Sequence, residues 1–448
     1  MKKFNEFYFE DFAFNKDNLT AEFSYSFDKK YVFTEKIIFD KKINIRDDFS
    51  DKKFQVFLFN IFIALGISYY KAYPTEKLVS EKYYLDEKQK EFWKKFYLNG
   101  LGEFLFRNKI KPDNLLNFDF RGENNFKKQD YKVKNRVIIP IGGGKDSLVS
   151  VEEIKKNNNF KDDFILATFG KDYYIHRVCE EEIGAKRLFI ERKISEKLFE
   201  LNKAGNYNGH VPITGIIAFV LLASSYLYDY KFIALSNEKS ANFGNLKWEG
   251  IEVNHQYSKS LEFELDFKNY QKNYIGEGIE YFSLLRNMYE VKIAEIFAKN
   301  KKYFDVFSSC NANFKILEEK QTLKNRWCNN CPKCAFVFSI LRPFLDKEEV
   351  IKIFGEDLYK REDLLELFKE LLGVSNHKPF ECVGTNEEVI ISMKKSLEKY
   401  NNKKLPVILK YFLENIDNKI SEKEYKKLEE KLYKIYEKNH NIPEIFLK

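Results

Sequence analysis

The sequence predicts an α/β protein in three parts: a strand-rich α+β opening, a doubly wound parallel sheet in the middle and a helical tail. Three observations predict it. Short β-branched apolar runs alternate with helical patterns between Arg136 and Ser236, as in a parallel sheet buried under helices. The first fifty residues instead alternate aromatic and polar side chains, the period-two signature of antiparallel strands. From Asp346 onward the pattern is almost entirely helical, with Lys- and Glu-rich outward faces. The expected division is therefore 1–132, 133–345 and 346–448, with the first boundary in the polar, linker-like stretch Arg121 to Asn135.

In chain order, Glu6–Phe9, Ala21–Phe27 and Tyr31–Phe33 read as strands separated by Asp, Asn and Lys turns. The period turns helical from Lys53 to Tyr70, and Asp86 to Asn99 reads as a second helix stopped by Gly100. Arg136–Ile141 is then a buried strand, followed by a glycine loop and a helix from Ser147 to Lys156. Strand Phe164–Phe169, helix Tyr174–Ile183, strand Arg187–Ile190, helix Ile213–Leu227 and strand Lys231–Ser236 continue the alternation. Ligands of such sheets bind at the C-terminal strand ends.

Composition narrows the function. The 448 residues carry 76 Lys and Arg against 68 Asp and Glu, a net charge of +8, with 44% hydrophobic and 17% aromatic residues. That core material excludes wholesale disorder, and the mild charge lacks the basic tract of a dedicated nucleic-acid binder. The opening Met1–Glu6 shows no signal-peptide pattern. The apolar stretches Val56–Ile67 and Val211–Leu227 are interrupted by Asn60 and by Pro212, Thr214 and Ser224, short of a bilayer span. Six cysteines are too few for a disulfide scaffold, so a cytoplasmic protein with no membrane partner is expected.

The sharpest chemical motif is Gly142-Gly143-Gly144-Lys145-Asp146-Ser147, between a strand and a helix. Glycines let a phosphate approach the backbone, and the first NH groups of the helix supply donors. It has neither P-loop spacing nor GxGxxG. It resembles the SGGxDS loop of PP-loop (HUP-like) ATP pyrophosphatases, with Gly142 in place of the first Ser. Cys328, Cys331 and Cys334 form two overlapping C-x2-C spacings, and Cys310 upstream offers a fourth thiolate for a structural zinc or an iron–sulfur cluster. Three further segments are rich in polar side chains: Asn206–Pro212 with His210, Ser236–Asn242 at a strand end, and Glu252–Ser260 with His255. Pro379–Thr385 interrupts the helical tail with Cys382 in a turn.

Taken together, Gly142–Ser147, Asn208–Pro212, Ser236–Ala241, Glu252–Ser260, Cys331–Phe338 and Pro379–Thr385 resemble the MurL family. That resemblance implies an ATP-dependent epimerase that inverts the terminal L-Glu of UDP-MurNAc-L-Ala-L-Glu for peptidoglycan synthesis, converting ATP to AMP and pyrophosphate. The expected roles follow. Gly142, Gly143, Gly144, Lys145 and Ser147 would cradle ATP, and Asp146 would bind Mg2+ or Mn2+. His255, Lys259, Glu238 and Cys382 are the proton-transfer candidates, and His210, Asn237, Ser240 and Asn242 the substrate-lining ones. The alternative is another PP-loop adenylating enzyme, a tRNA thiolase or a 7-deazaguanine nitrile-forming synthase. An RNA modifier should carry a basic RNA-binding domain, which residues 1–130 do not show. A nucleotide-binding module without catalysis would bind ATP tightly and form no AMP.

Overall fold

The aromatic–polar alternation of the first forty residues forms an antiparallel meander: β1 (Glu6–Asn15), β2 (Thr20–Phe27) and β3 (Tyr31–Ile38). A computed structural model describes residues 1–123, 126–314, 326–374, 378–400 and 404–447. The meander is extended on one side by β4 (Lys77–Ser80) and β5 (Asn117–Phe120), which pair in parallel. On the other side β3 meets β8 (Arg187–Lys193), Ile37 opposite Arg192. The central strands β6 (Val137–Pro140), β7 (Phe164–Gly170), β9 (Phe232–Leu235) and β12 (Glu280–Ser283) complete a single ten-stranded sheet. A small hairpin, β10 (Leu246–Trp248) and β11 (Ile251–Val253), stands outside it.

The sheet order is β12-β9-β6-β7-β8-β3-β2-β1-β4-β5, and the first five strands are mutually parallel. Numbered in chain order, those five run 3-2-1-4-5 from β8 to β12, the doubly wound arrangement. Its order reverses between β6 and β9, which opens a crevice beyond their C-terminal ends. Successive side chains confirm helices on both faces. Ile138, Ile165 and Ile233 enter one apolar core, and their neighbours Ile139, Leu166 and Ala234 enter the other.

The helix Asp51–Tyr70 is long and apolar enough to cross a bilayer, yet 89% of its apolar window is buried inside the protein. It packs between the meander and helix Ile213–Tyr228, with Phe62 stacked on Tyr25 and Phe57 on Tyr226. Burying each such ring contributes roughly 2–3 kcal/mol. The linker-like stretch is pinned as well: Gln129 and Tyr131 donate backbone bonds to Ile275 and Glu277, and Tyr131 is buried.

Two sequence boundaries move in an informative way. Helix Lys145–Lys156 begins two residues before the apolar periodicity indicates, because Lys145 is itself buried. Its cap, Gly144, supplies no side-chain hydrogen bond, so the first-turn NH groups are left for another acceptor. Gly143 has φ +80, and a Cβ there would stand 2.5 Å from Ile175 Cγ1. In the tail, Thr385 and Glu388 form a capping box that starts helix Asn386–Glu398 and fixes the Cys382 turn ahead of it.

Candidate active site

A cavity of about 540 Å³ occupies the crevice between β6 and β9. Gly142, Gly144, Asp146 and Ser147 form one wall, and Ser236, Asn237 and Glu238 continue it from the end of β9. The Ser147 hydroxyl donates to the Gly144 carbonyl at 2.9 Å. Gly143 is turned away, against Ile175, and its carbonyl accepts from the Ser308 NH at 2.8 Å. Ser308 and Ser309 thereby close the back of the loop.

Lys145 does not line the cavity. Its buried ammonium pairs with the carboxylates of Asp146 and Glu290. Ligand oxygens of Asp146, Glu238 and Glu290 all lie within 4.8 Å of one another. Three carboxylates against one ammonium leave two negative charges in excess when all are ionised, and hard oxygen donors suit Mg2+. Burial first, then the charge of Asp146, pushes Glu290 well above the usual carboxylate range. Burial likewise raises Glu238, which Lys259 only partly offsets. A divalent cation would relieve both, so the residues fit one.

A second cavity, of about 490 Å³, adjoins the first. Arg192, Ile194, Ile213, Thr214 and Lys259 line both. Lys259 Nζ donates to Cys382 Sγ at 3.2 Å, at the junction. Burial would raise the Cys382 thiol, but Lys259, Lys333 and a hydrogen bond from His255 hold it well below its usual range. These cations therefore favour the thiolate form of Cys382. Burial opposes the charge on His255, yet its bonds to Cys382 and Glu103 raise it to about 9. Its Nδ1 donates to Glu103 Oε2 at 2.5 Å. His210, whose ring centroid is 4.5 Å from that of His255, is driven the other way. Burial and the charge of His255 lower it to about 3, so it is neutral. Glu103, His210 and His255 also lie within 4.8 Å of one another, but His255 and Arg107 already neutralise Glu103.

Of the expected substrate residues, His210 lines the second cavity and Asn237 the first, where its amide donates to Ser283 Oγ at 3.0 Å. Ser240 and Asn242 lie outside both. The Ser240 hydroxyl donates to buried Glu388 at 2.7 Å, and Asn242 Oδ1 accepts from the Leu261 NH at 2.7 Å. The four cysteines Cys310, Cys328, Cys331 and Cys334 converge with all sulfurs within 4.8 Å. Cys328 and Cys334 are 3.8 Å apart and Cys331 and Cys334 3.5 Å. A tetrahedron of Zn–S bonds of about 2.3 Å has edges of roughly 3.8 Å, so the cluster fits one zinc.

Sequence patterns did not single out Lys71, Glu103, Arg192 or Glu290. Glu103 reads as an ordinary first-turn acid and Arg192 as a strand-end charge. Lys71 alone carried a signal, a lysine directly after a twenty-residue apolar helix.

Two family descriptions match the chain: the MurL N-terminal domain over residues 1–284 and the MurL C-terminal domain over residues 306–427. Three relatives are each named UDP-N-acetyl-alpha-D-muramoyl-L-alanyl-L-glutamate epimerase. The one from Xanthomonas oryzae pv. oryzae is 36% identical over 323 residues, 72% of this chain and 70% of that protein. The one from Micromonospora sp. is 36% identical over 347 residues, 77% and 76% of the two chains. That from Salinispora tropica is 33% identical over 415 residues, 91% and 88%. No solved structure matches.

Proposed function

Because the chain belongs to the MurL family, we propose that it is an isomerase that inverts the terminal L-glutamyl centre of UDP-MurNAc-L-Ala-L-Glu, activating the α-carboxyl with ATP as an acyl-adenylate. The single observation that carries the reading is the meeting of the two cavities at Lys259. A helix N-terminus suited to phosphates opens on one side of it, and a thiolate–imidazolium pair stands on the other.

The α-proton of a glutamyl carboxylate is very weakly acidic, since its removal sets a second negative charge beside the first. Adenylation cancels the carboxylate charge and makes proton removal feasible. The first-turn NH groups after Gly144 and the Ser147 hydroxyl would hold the ATP phosphates. Asp146, Glu238 and Glu290 would hold a Mg2+ that neutralises the departing pyrophosphate. Inversion then needs a base on one face of the α-carbon and an acid on the other. Cys382 and His255 have environments that set them apart, the first favouring its thiolate and the second, raised to about 9, its imidazolium. An α-carbon that takes the place of the His255–Cys382 hydrogen bond would meet a thiolate that accepts its proton on one side and an imidazolium, still held by Glu103, that returns one on the other. The Lys259 ammonium, between the cavities, stabilises the charge that develops on the acyl oxygen. Hydrolysis of the acyl-adenylate releases the product and AMP.

We also propose that the four cysteines hold one structural zinc. Its place is next to the phosphate loop: Cys310 follows Ser308 and Ser309, and Lys333 lies between Cys331 and Cys334 and lines the nucleotide cavity. The partners are then two small polyanions, and the place of reaction is the cytoplasm, where ATP and UDP-sugars are found. The test is incubation with ATP, Mg2+ and UDP-MurNAc-L-Ala-L-Glu, then acid hydrolysis and chiral amino-acid analysis. D-Glu appearing with AMP is the expected result. D-Glu without AMP would overturn the acyl-adenylate, and AMP or nothing without D-Glu would overturn the epimerase.

A further inference from the structure

The second cavity carries a charge that proton transfer does not use. Four cationic side chains line it, Lys71, Arg192, His255 and Lys259, and among the described residues no Asp or Glu lines it. Three of the four have an anionic partner. Arg192 binds Glu35 through Nε at 2.5 Å and Nη2 at 3.3 Å, His255 binds Glu103, and Lys259 binds Cys382. Lys71 has none among the described residues. Its Nζ donates to Asn208 Oδ1 at 2.9 Å and to the Gly209 carbonyl at 2.6 Å, both neutral, and the residue is 7% exposed. A buried ammonium held only by neutral acceptors is costly unless a counter-charge arrives. Burial and the charge of Arg192 already lower its pKa to about 8, which leaves it mostly protonated at neutral pH.

We infer that Lys71 receives the side-chain carboxylate of the substrate's terminal glutamate. The inference rests on the function proposed above. The α-carboxyl must reach Lys259, where the nucleotide cavity begins, and Lys71 lines the same compartment as Lys259. A glutamyl side chain places its carboxylate three carbon–carbon bonds from the α-carbon, inside that compartment. A diphosphate is the other anion on such a substrate, and it fits worse. It would bring two charges to a compartment with one uncompensated cation, and a cavity near 490 Å³ has room for the peptide end without the nucleotide-sugar. Lys71 thus becomes the group that distinguishes glutamate from neutral residues of the same shape. It also gives the N-terminal region a task, contributed by its helix end and not by its strands.

The experiment compares UDP-MurNAc-L-Ala-L-Glu with the analogue ending in L-Gln, in the full-length wild type, Lys71→Met and Lys71→Arg. The readouts are kcat/KM and KM for epimerisation, and binding of each substrate without ATP. Losing a buried charge pair costs on the order of 100-fold in affinity. The wild type should prefer the glutamyl substrate by about that factor, mainly through KM. Lys71→Met should bring the ratio of the two substrates close to unity, and Lys71→Arg should restore a preference. The ratio is unaffected by a fraction of misfolded enzyme. An unchanged ratio in Lys71→Met overturns the assignment while the epimerase stands. A wild type that epimerises neither substrate overturns the function itself, and the assignment with it.

Discussion

The two halves of the site are built in opposite ways. The wall proposed for the nucleotide comes from the stretch Gly142 to Ser147, at one strand-to-helix turn, joined by Ser236 to Glu238 from the neighbouring strand end. The compartment proposed for the glutamyl end draws on residues far apart in the chain: Lys71, Glu103, Arg192, His210, His255 and Cys382. The first is held by backbone geometry that a few residues dictate. The second exists only when the N-terminal helices, the central sheet and the tail have all packed. The halves should therefore respond to mutation differently.

The largest expected effects test that separation directly. Asp146→Asn should lower pyrophosphate release and epimerisation together, each by roughly 10³-fold, because removing a group that stabilises developing charge costs about that much. Cys382→Ala should lower epimerisation by roughly 10²–10⁴-fold. It should leave ATP-dependent AMP formation from the glutamyl substrate in place, and α-deuterium wash-in from D₂O should vanish. If Cys382→Ala loses adenylation as completely as Asp146→Asn, the two halves are one unit and the comparison fails.

A zinc on the four cysteines would belong to the nucleotide half by position, through the Ser308 bond to Gly143. Purified protein should contain one zinc per chain by elemental analysis, and Cys331→Ser should contain none. Displacing the loop by an ångström costs on the order of 10²-fold, so ATP kcat/KM should fall by about that much in the variant. Binding of the glutamyl substrate without ATP should change far less. Metal-free wild type would remove the cluster from the nucleotide half altogether.

The contrast also explains what was legible beforehand. The central α/β alternation and the antiparallel opening could be read because each strand carries its own periodicity, as Arg136–Ile141 and Ala21–Phe27 do. The glycine loop and the cysteine spacing were legible for the same reason: their chemistry is local. β12 went unread because Glu280–Ser283 is four residues long with no apolar run ahead of it. Lys71, Glu103 and Glu290 went unread because their meaning depends on what packs opposite them. Ser240 shows the converse. It sits in a motif beside the site, yet its hydroxyl is bound to Glu388, holding the tail to the sheet.

A smaller effect separates the groups within the glutamyl half. Glu103 helps raise His255 to about 9, so the imidazolium proposed as the proton donor is lost as pH rises through that value. Glu103→Gln removes the attracting charge while burial still disfavours the cation. The alkaline limb of kcat/KM should move to lower pH by about one unit, roughly a fivefold loss near pH 9 that approaches tenfold at higher pH, and little change near pH 7. An unmoved limb would show that His255 is not the acid.

The smallest effect is expected at Gly142, where the loop departs from the SGGxDS pattern of the enzymes it resembles. The three glycines are not equivalent. A side chain at Gly143 would collide with Ile175 and needs a positive φ, and one at Gly144 would stand 2.8 Å from Ser309 Oγ. At Gly142 a Cβ meets nothing within 4 Å, and the residue faces the nucleotide cavity. Gly142→Ser should therefore fold as the wild type does and add one hydroxyl to the phosphate cradle. A single added hydrogen bond contributes about 1 kcal/mol, so KM for ATP should fall by roughly two- to fivefold with kcat nearly unchanged. Gly143→Ala should damage ATP use through strain alone. A rise in KM for ATP in Gly142→Ser would mean that the open space beside Gly142 is filled by the nucleotide itself, and that the missing hydroxyl is a fit to this site's own ligand geometry.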